Sequence, residues 1–180
     1  MNPLQQGGRM VKALENFESS CAGYAVATYV LGIGDRHNDN VMMTKDGKLF
    51  HIDFGHFLGN FKSKYGYKRE KAPFVFTQMM ASLLGGRRAG ARYRLFQDKS
   101  TQAFNLLRRH TDTFLVLFSL MIGCQIPELK GVEDLFWIRR CMKVEESEEE
   151  AGLRFEKLTY ESLKCTATRI MHTIHILKHS

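Results

Sequence analysis

The chain has 180 residues, of which 44% are hydrophobic and 25% are charged, as in an ordinary globular domain. This composition excludes a disordered tail, a collagen-like repeat and a small disulfide-stapled scaffold. The 26 Lys and Arg residues outnumber the 19 Asp and Glu residues and give a formal net charge of +7. A basic surplus of this size predicts an anionic partner: a nucleic acid, a phosphorylated ligand or an acidic membrane.

Cysteine spacing and the N-terminal residues indicate the compartment. The cysteines form no CxxC pair and no dense framework, which favours reduced thiols in the cytosol; they are Cys21, Cys124, Cys141 and Cys165. No cationic start leads into an apolar stretch, so we expect no signal peptide. The longest apolar run, 114–122, is much shorter than the about 20 residues of a membrane span. We therefore expect a cytoplasmic protein that is soluble or attached only peripherally to a membrane.

The first predicted element is a helix over about 10–31, because apolar residues recur there at three- and four-residue spacing and glycines follow. A β-hairpin comes next. The β-prone runs 41–44 and 48–54 flank Asp46 and Gly47, and Asp-Gly between two such runs is the strongest short-range signal for a hairpin.

The segment 55–73 has no helical period, and we interpret it as a functional loop because of its length. Ser147 and Glu150 predict a capping box at the start of a later helix. The acidic run 145–150 is either a docking patch or, as the helix dipole favours, a solvated helix start. The chain is thus predicted to be one mainly helical α+β unit with a single β-hairpin. Its helices after the loop are predicted near 77–84, 91–109, 111–123, 132–142, 148–161 and 165–177.

Two polar residues stand at the outer ends of the predicted hairpin. Because a tight hairpin brings its outer ends together, Asn40 and Asp53 should lie side by side. An amide oxygen and a carboxylate that converge on one point are hard oxygen ligands suited to Mg²⁺. The hairpin therefore predicts a magnesium site of the kind that phosphoryl transfer requires.

Four further polar residues could supply the rest of that chemistry. Asp35 or His37 could orient or deprotonate the attacking hydroxyl, and Arg36 could be a structural or phosphate-facing charge. His56, just after the second strand, could contact the transferred phosphate or act as an acid or base. Each part of this pattern is weak alone, but the two parts at this spacing are a strong signal.

Other interpretations of these residues are less favoured. His51 and His56 with Asp53 could suggest zinc, but no third soft ligand has a matching spacing. A satisfied structural role is favoured for His51, inside the second strand. Gly32 and Gly34 follow a helix and open none, so the Rossmann and P-loop interpretations fail their context test.

The motifs around the hairpin closely resemble the catalytic subunits of phosphoinositide 3-kinases, over about residues 10–160 and with highly specific core motifs. The resemblance implies that Asp35 and His37 act in catalysis within a catalytic loop at about 33–41. It also implies that Asn40 and Asp53 hold Mg²⁺ on ATP, and that His56 assists transfer. The motifs that carry it are Cys21-Ala22-Gly23-Tyr24, Gly32-Ile33-Gly34-Asp35-Arg36-His37-Asn38-Asp39-Asn40 and Leu49-Phe50-His51-Ile52-Asp53-Phe54-Gly55-His56.

The resemblance places an activation loop at about 53–75. Within it, 59–71 carries five basic residues against one acidic residue, a net +4, and charge-assisted contacts to phosphate are each worth roughly 1.5–3 kcal/mol. The two basic clusters are similar to those of class I members, which phosphorylate the 3-hydroxyl of phosphatidylinositol 4,5-bisphosphate. A solvated charged loop is the alternative, and nucleic-acid binding is disfavoured because no second basic groove appears. The clusters are Lys62 with Lys64, and Lys68 with Arg69 and Lys71.

The chain also departs from the family pattern. It resembles the C-terminal lobe (C-lobe) alone, 1–180, without the N-terminal lobe (N-lobe) and upstream domains. We therefore expect little or no turnover from it in isolation. The family carries tryptophans in its last helix, where this chain has Leu163 and Arg169; its single Trp is Trp137. Apolar membrane insertion at that helix is thus in doubt.

The resemblance implies a lipid kinase that uses ATP and Mg²⁺ and binds a phosphoinositide headgroup at an anionic membrane. It further implies a regulatory subunit in the intact enzyme and a cytoplasmic location, peripheral to the plasma membrane when active. The alternative is a catalytically inactive, truncated module that binds acidic lipid or a regulatory subunit. A protein kinase is disfavoured, because the loop is basic and Ala72-Pro73-Phe74 replaces an Ala-Pro-Glu element.

Overall fold

A computed structural model describes residues 3–34, 40–60, 63–64, 67–68, 72–86, 90–129 and 131–179, with side chains for 7–34, 40–60, 72–86, 90–129 and 131–165. The described part is mainly helical, with two small antiparallel hairpins. Its helices are α1 (Pro3–Val30), α2 (Gln78–Leu83), α3 (Ala91–Arg109), α4 (Thr111–Met121), α5 (Val132–Met142) and α6 (Glu148–His179), with a short 3₁₀ turn at Ile122–Cys124. Its strands are β1 (Val41–Met43), β2 (Leu49–His51), β3 (Ser63–Lys64) and β4 (Tyr67–Lys68).

The core forms where α1 packs against α3 and α3 packs against α6. Aromatic rings fill it: Phe76 stacks on Phe96 with ring centroids 4.6 Å apart, and the rings of Phe104 and Phe155 lie 5.1 Å apart. All four side chains are essentially inaccessible to solvent. Burial of such large apolar surfaces is the main stabilising contribution to the fold.

The predicted helical segments and the predicted hairpin are confirmed, and the mainly helical α+β class holds. The capping box is also present. The Ser147 backbone N–H donates to Oε2 of Glu150 over 2.8 Å, and the Glu150 N–H donates to Oγ of Ser147 over 3.2 Å. This reciprocal pair satisfies two of the unpaired N–H groups at the start of α6.

Three predictions about element bounds were wrong. The first helix begins at Pro3, not near 10; its first turns are exposed where described, so no apolar period marked them, although Pro is well suited to a first helical position. The last two predicted helices are one helix, α6. Ser162 lies between the two predicted ranges; it is buried, and its Oγ accepts a hydrogen bond from the Phe74 N–H.

The third error concerns the segment after the first hairpin. A single hairpin was predicted, yet β3 and β4 form a second one inside the presumed loop, with Ser63 opposite Lys68 and Lys64 opposite Tyr67. Arms of two residues are too short to show the alternation by which a strand is recognised in a sequence.

Candidate active site

The first hairpin brings its two outer ends together. Val41 lies opposite His51 in the register, and the Ile52 N–H donates to the Asn40 carbonyl oxygen over 3.1 Å. Asp53 is the next residue along the chain. An amide side chain and a carboxylate side chain are therefore attached to neighbouring points of the backbone at one end of the hairpin.

The backbone turns sharply at Asp53. Its φ angle is 60°, in the left-handed region that Asp tolerates better than most residues. Its Oδ1 accepts a 3.4 Å hydrogen bond from the Gly55 N–H, a local arrangement that stabilises such turns. Asp53 is exposed, whereas Asn40 is buried with 5% of its surface accessible. The carboxylate can thus reach a solvated cation, whereas the Asn40 side chain is largely shielded from solvent.

Helix α1 supports the hairpin from behind. The Leu49 N–H donates to Oγ of Ser20 over 2.9 Å, and the ring of Tyr24 stacks on His51 at a centroid distance of 5.0 Å. At the turn, Nδ2 of Asn16 donates to the Asp46 carbonyl over 2.8 Å. His51 is buried in this contact, which agrees with the structural role predicted for it.

The cysteine of the first motif is a packing residue. Cys21 is buried on α1 with 2% of its surface accessible. Burial raises the pKa of its thiol to about 12, because the charged thiolate is poorly solvated in an apolar environment. At neutral pH the thiol is protonated and is not a nucleophile.

A second backbone contact joins the segment before the presumed catalytic loop to the segment after β2. The Leu58 N–H donates to the Leu31 carbonyl over 2.7 Å, and the Gly34 N–H donates to the His56 carbonyl over 2.8 Å. His56 is therefore held against the residue that precedes Asp35. Asp35, Arg36 and His37 themselves lie outside the described residues.

The basic clusters fall on the second hairpin and its flanks. Lys64 is on β3 and Lys68 is on β4, so one member of each cluster lies on each arm of the second hairpin. Lys62, Arg69 and Lys71 lie outside the described residues. The backbone thus brings together parts of two clusters that the sequence lists separately.

An apolar surface beside the predicted metal ligands was missed in the sequence. Met42 and Ile52 are exposed by 47% and 38%, and Phe54 by 48%. Met42 lies opposite Phe50 in the register, and Asn40 lies opposite Ile52, so these positions alternate onto one face of the hairpin. The signal was available in the sequence, because both strands carry apolar residues on both alternating sets, and a two-stranded hairpin that packs on one helix cannot bury both faces.

The described residues contain neither a cluster of metal-binding side chains nor a membrane-spanning helix. Within that part of the chain, no three His, Cys, Asp or Glu side chains converge as a metal-binding group. None of the helices, as far as they are described, is both long and apolar enough to cross a bilayer.

Comparison with known proteins gives one consistent result. The profile of the family described as "Phosphatidylinositol 3- and 4-kinase" matches residues 5–131. "Phosphatidylinositol 3-kinase 1" of Dictyostelium discoideum is 48% identical over 169 residues, which are 94% of this chain and 11% of that protein. "Phosphatidylinositol 3-kinase 2" of the same organism is 53% identical over 146 residues, which are 81% of this chain and 8% of that protein.

The name of a human relative specifies the lipid more closely. The "Phosphatidylinositol 4-phosphate 3-kinase C2 domain-containing subunit beta" of Homo sapiens is 48% identical over 167 residues, which are 92% of this chain and 10% of that protein. The chain therefore spans about a tenth of the length of these curated relatives.

Proposed function

The chain belongs to the phosphatidylinositol 3- and 4-kinase family and is by family a lipid kinase, and we propose that it forms the C-lobe of the catalytic domain. In the intact enzyme it would transfer the γ-phosphate of ATP to the 3-hydroxyl of phosphatidylinositol 4,5-bisphosphate. The observation that carries this proposal is the hairpin register, which attaches Asn40 and Asp53 to neighbouring points of the backbone.

The donor set fits Mg²⁺. Asn40 and Asp53 offer an amide oxygen and a carboxylate, the hard ligands that this ion prefers, and Asp53 is exposed. When bound with ATP, Mg²⁺ neutralises charge on the phosphates. The two residues would hold it at the end of the hairpin, and the buried amide would give the site a fixed side.

The remaining polar residues would accept the proton of the attacking hydroxyl and contact the transferred phosphate. Asp35 and His37 would orient the inositol 3-hydroxyl and accept its proton. His56, bound through its carbonyl to Gly34, would contact the transferred phosphate, and Arg36 would face phosphate or brace the loop. The exposed apolar face with Met42 and Ile52 could cover an aromatic base beside the phosphates.

The second hairpin, β3–β4, and its flanking basic residues would bind the lipid headgroup. Its clusters would neutralise the phosphates of phosphatidylinositol 4,5-bisphosphate at an anionic membrane surface. The human relative is named for phosphatidylinositol 4-phosphate, so the choice between the 4-phosphate and the 4,5-bisphosphate has to be measured. The enzyme would be cytoplasmic, peripheral to the plasma membrane when active, with an N-lobe that completes the ATP site and a regulatory subunit.

A transfer assay tests the proposal. The chain is offered Mg²⁺·ATP and vesicles that contain phosphatidylinositol, its 4-phosphate or its 4,5-bisphosphate. We expect little or no turnover without an N-lobe, and highest turnover on the bisphosphate once an N-lobe is supplied. Asp53→Asn should abolish that turnover, while Asp46→Asn, at the other end of the same hairpin, should preserve it. Strong Asp53-dependent turnover by the chain alone would show that no second lobe is required.

Vesicle sedimentation tests the alternative, an inactive module that binds acidic lipid. Neutralising the basic clusters should release the chain from vesicles that contain the bisphosphate. An equal number of exposed bases elsewhere serves as the matched control for net charge. If both variants bind the vesicles equally well, the basic clusters have no specific role in lipid recognition. The clusters are Lys62, Lys64, Lys68, Arg69 and Lys71, and the control set is Lys12, Lys45, Lys48, Lys157 and Lys164.

A further inference from the structure

One face of α5 contacts both backbone segments that lead into the candidate active site. Asp134 and Trp137 are three residues apart on α5 and therefore project from the same side of the helix. The segments that they contact are 30–34, which precedes the presumed catalytic loop, and 56–60, which follows the presumed metal ligand Asp53.

The indole of Trp137 lies against two glycines, one in each segment. A methyl group built on Gly32 would lie 2.6 Å from Cε2 and Nε1 of the indole and 2.5 Å from the Gly59 nitrogen. A methyl group built on Gly59 would overlap Cε3 of the same ring. The φ angles of Gly32 and Gly59 are 55° and 76°, so each position favours glycine for its backbone as well as for space.

Hydrogen bonds fix the ring and the segments around it. Nε1 of Trp137 donates to the Val30 carbonyl over 3.2 Å, which satisfies an end carbonyl of α1. The Gly59 N–H donates to the Gly32 carbonyl over 3.2 Å. These bonds hold the end of α1, the first segment and the second segment on one flat aromatic surface.

The neighbouring residue Asn60 adds a second attachment to α5. Its Nδ2 donates to the Glu128 carbonyl over 2.8 Å and to Oδ1 of Asp134 over 3.3 Å. Asp134 is itself fixed, because its Oδ2 accepts a 3.2 Å hydrogen bond from the Gly131 N–H at the start of α5. The second segment is thus attached to α5 at two successive residues.

We propose that Trp137 is a positioning residue, which holds the approach to the catalytic loop and the exit from β2 in one register. The inference rests on the proposed function, because its consequence is the placement of Asp53 and His56 relative to the residues that follow Gly34. Without the ring, each segment keeps its own local structure, but only the backbone hydrogen bonds from the N–H groups of Gly34, Leu58 and Gly59 still join the two segments, and these bonds open more often.

Amide hydrogen exchange on the 180-residue chain tests this without any catalytic readout. In Trp137→Ala, the N–H groups of Gly34, Leu58 and Gly59 should exchange at least about tenfold faster, while those in the middle of α3 keep their wild-type rates. Phe136→Ala is the matched control. It removes an aromatic ring from the residue directly before Trp137 on α5, which is 53% exposed, and should change none of these rates.

Binding of Mn²⁺·ATP, a spectroscopic probe for the Mg²⁺ complex, provides the second readout. Trp137→Ala should weaken binding by about tenfold, as losses in the support of a metal site commonly do. Trp137→Phe keeps a ring on the two glycines but loses the N–H donor. If the ring itself positions the segments, the affinity should return to within about threefold of wild type.

The outcomes separate the two proposals. Unchanged exchange at Gly34, Leu58 and Gly59, or equal acceleration throughout α3, would overturn the positioning role. If Trp137→Ala does not fold, Trp137→Leu is compared with Trp137→Phe, and equal behaviour of the two would also overturn it. If wild type binds no Mn²⁺·ATP even when an N-lobe is supplied, the proposed function fails, and amide exchange on the 180-residue chain still decides the role of Trp137.

Discussion

Two regions of the molecule differ in how far their charged groups are exposed. One is the junction of α3, α5 and α6, and the other is the open end of the first hairpin. At the junction, the buried guanidinium of Arg108 donates hydrogen bonds to five oxygens. They are the carbonyls of Met142, Lys143, Glu146 and Ser147, and Oδ1 of Asn105. It thereby pairs the last carbonyls of α5 with a charged donor.

Arg154 extends the same junction. Its Nε donates to Oε2 of Glu146 over 2.7 Å, and its Nη1 donates to the Tyr29 hydroxyl over 3.1 Å. Its guanidinium carbon lies 5.2 Å from the centre of the Phe104 ring. Burial raises the pKa of Tyr29 to about 12 despite the nearby Arg154 charge, so the phenol remains neutral over the physiological range.

The open end of the hairpin has the reverse character. Asp53 is exposed and has a φ angle of 60°, and the apolar side chains of Met42, Ile52 and Phe54 are in contact with solvent. The difference teaches that the junction pairs its polar groups within the protein, whereas the hairpin end leaves groups exposed, as the proposed Mg²⁺·ATP site requires. Changes at the first region should therefore alter unfolding, and changes at the second should alter binding.

The largest expected loss of stability comes from Arg108→Met. Several buried or part-buried carbonyls lose a charged donor at once, so the free energy of unfolding should fall by at least about 3 kcal/mol. Urea denaturation followed by circular dichroism measures the change. Arg109→Met is the matched control, because Arg109 and its partner Glu148 are mostly exposed and such a pair contributes about 0–1 kcal/mol. Equal losses in both variants would contradict the role given to Arg108.

A smaller loss is expected from Ser147→Ala. The variant removes the hydroxyl that caps α6 and should lower the free energy of unfolding by about 1 kcal/mol. Ser119→Ala is the control, since the Ser119 hydroxyl donates to a carbonyl within α4 and its loss should be close to neutral. Thermal unfolding of both variants checks the difference, and an unchanged midpoint in Ser147→Ala would speak against the cap.

Acid should weaken the junction through Glu146. Burial raises the pKa of Glu146, but the hydrogen bond and charge of Arg154, with help from Lys143, outweigh it and hold this pKa below its ordinary value of 4.5. A carboxyl with a lowered pKa in the folded state contributes stability above its unfolded pKa, and this is lost as pH falls through the folded pKa.

The stability difference between wild type and Glu146→Gln should therefore be full at neutral pH and shrink below about pH 4.5. Unfolding midpoints from pH 7 to pH 3 measure it. Glu145→Gln, at the exposed neighbouring position, is the control for the loss of one carboxylate. A constant gap between wild type and Glu146→Gln over the whole range would contradict the assignment to Glu146.

The smallest effect on stability is expected at the hairpin end, from Asp53→Asn. Asn tolerates the left-handed backbone as Asp does, and the residue is exposed, so unfolding should change by no more than about 0.5 kcal/mol. Binding of Mn²⁺ with ATP should nevertheless be lost, as titration calorimetry would show. If Asp53→Asn is strongly destabilised but still binds Mn²⁺ with ATP, Asp53 has a role in stability and not in binding, contrary to this prediction.

Local signals predicted most of the described fold. Asp46-Gly47 between β-prone runs fixed the first hairpin, and the pair Ser147 and Glu150 marked the start of α6. These signals succeed because a turn or a cap is determined by residues within a few positions of one another. The second hairpin and the unbroken α6 were missed, since the first is too short for periodicity and the second contains a buried Ser162 that has a distant partner.

The sequence by itself determined the candidate chemistry: the residue types, their spacing around one hairpin and the resemblance that the family comparison confirmed. Only the tertiary structure decided how these parts are held. The indole of Trp137 meets Gly32 and Gly59, and Arg108 gathers the ends of α5 and α6. Such contacts join residues far apart along the chain, and their formation depends on the packing of whole helices, which no short window of sequence encodes.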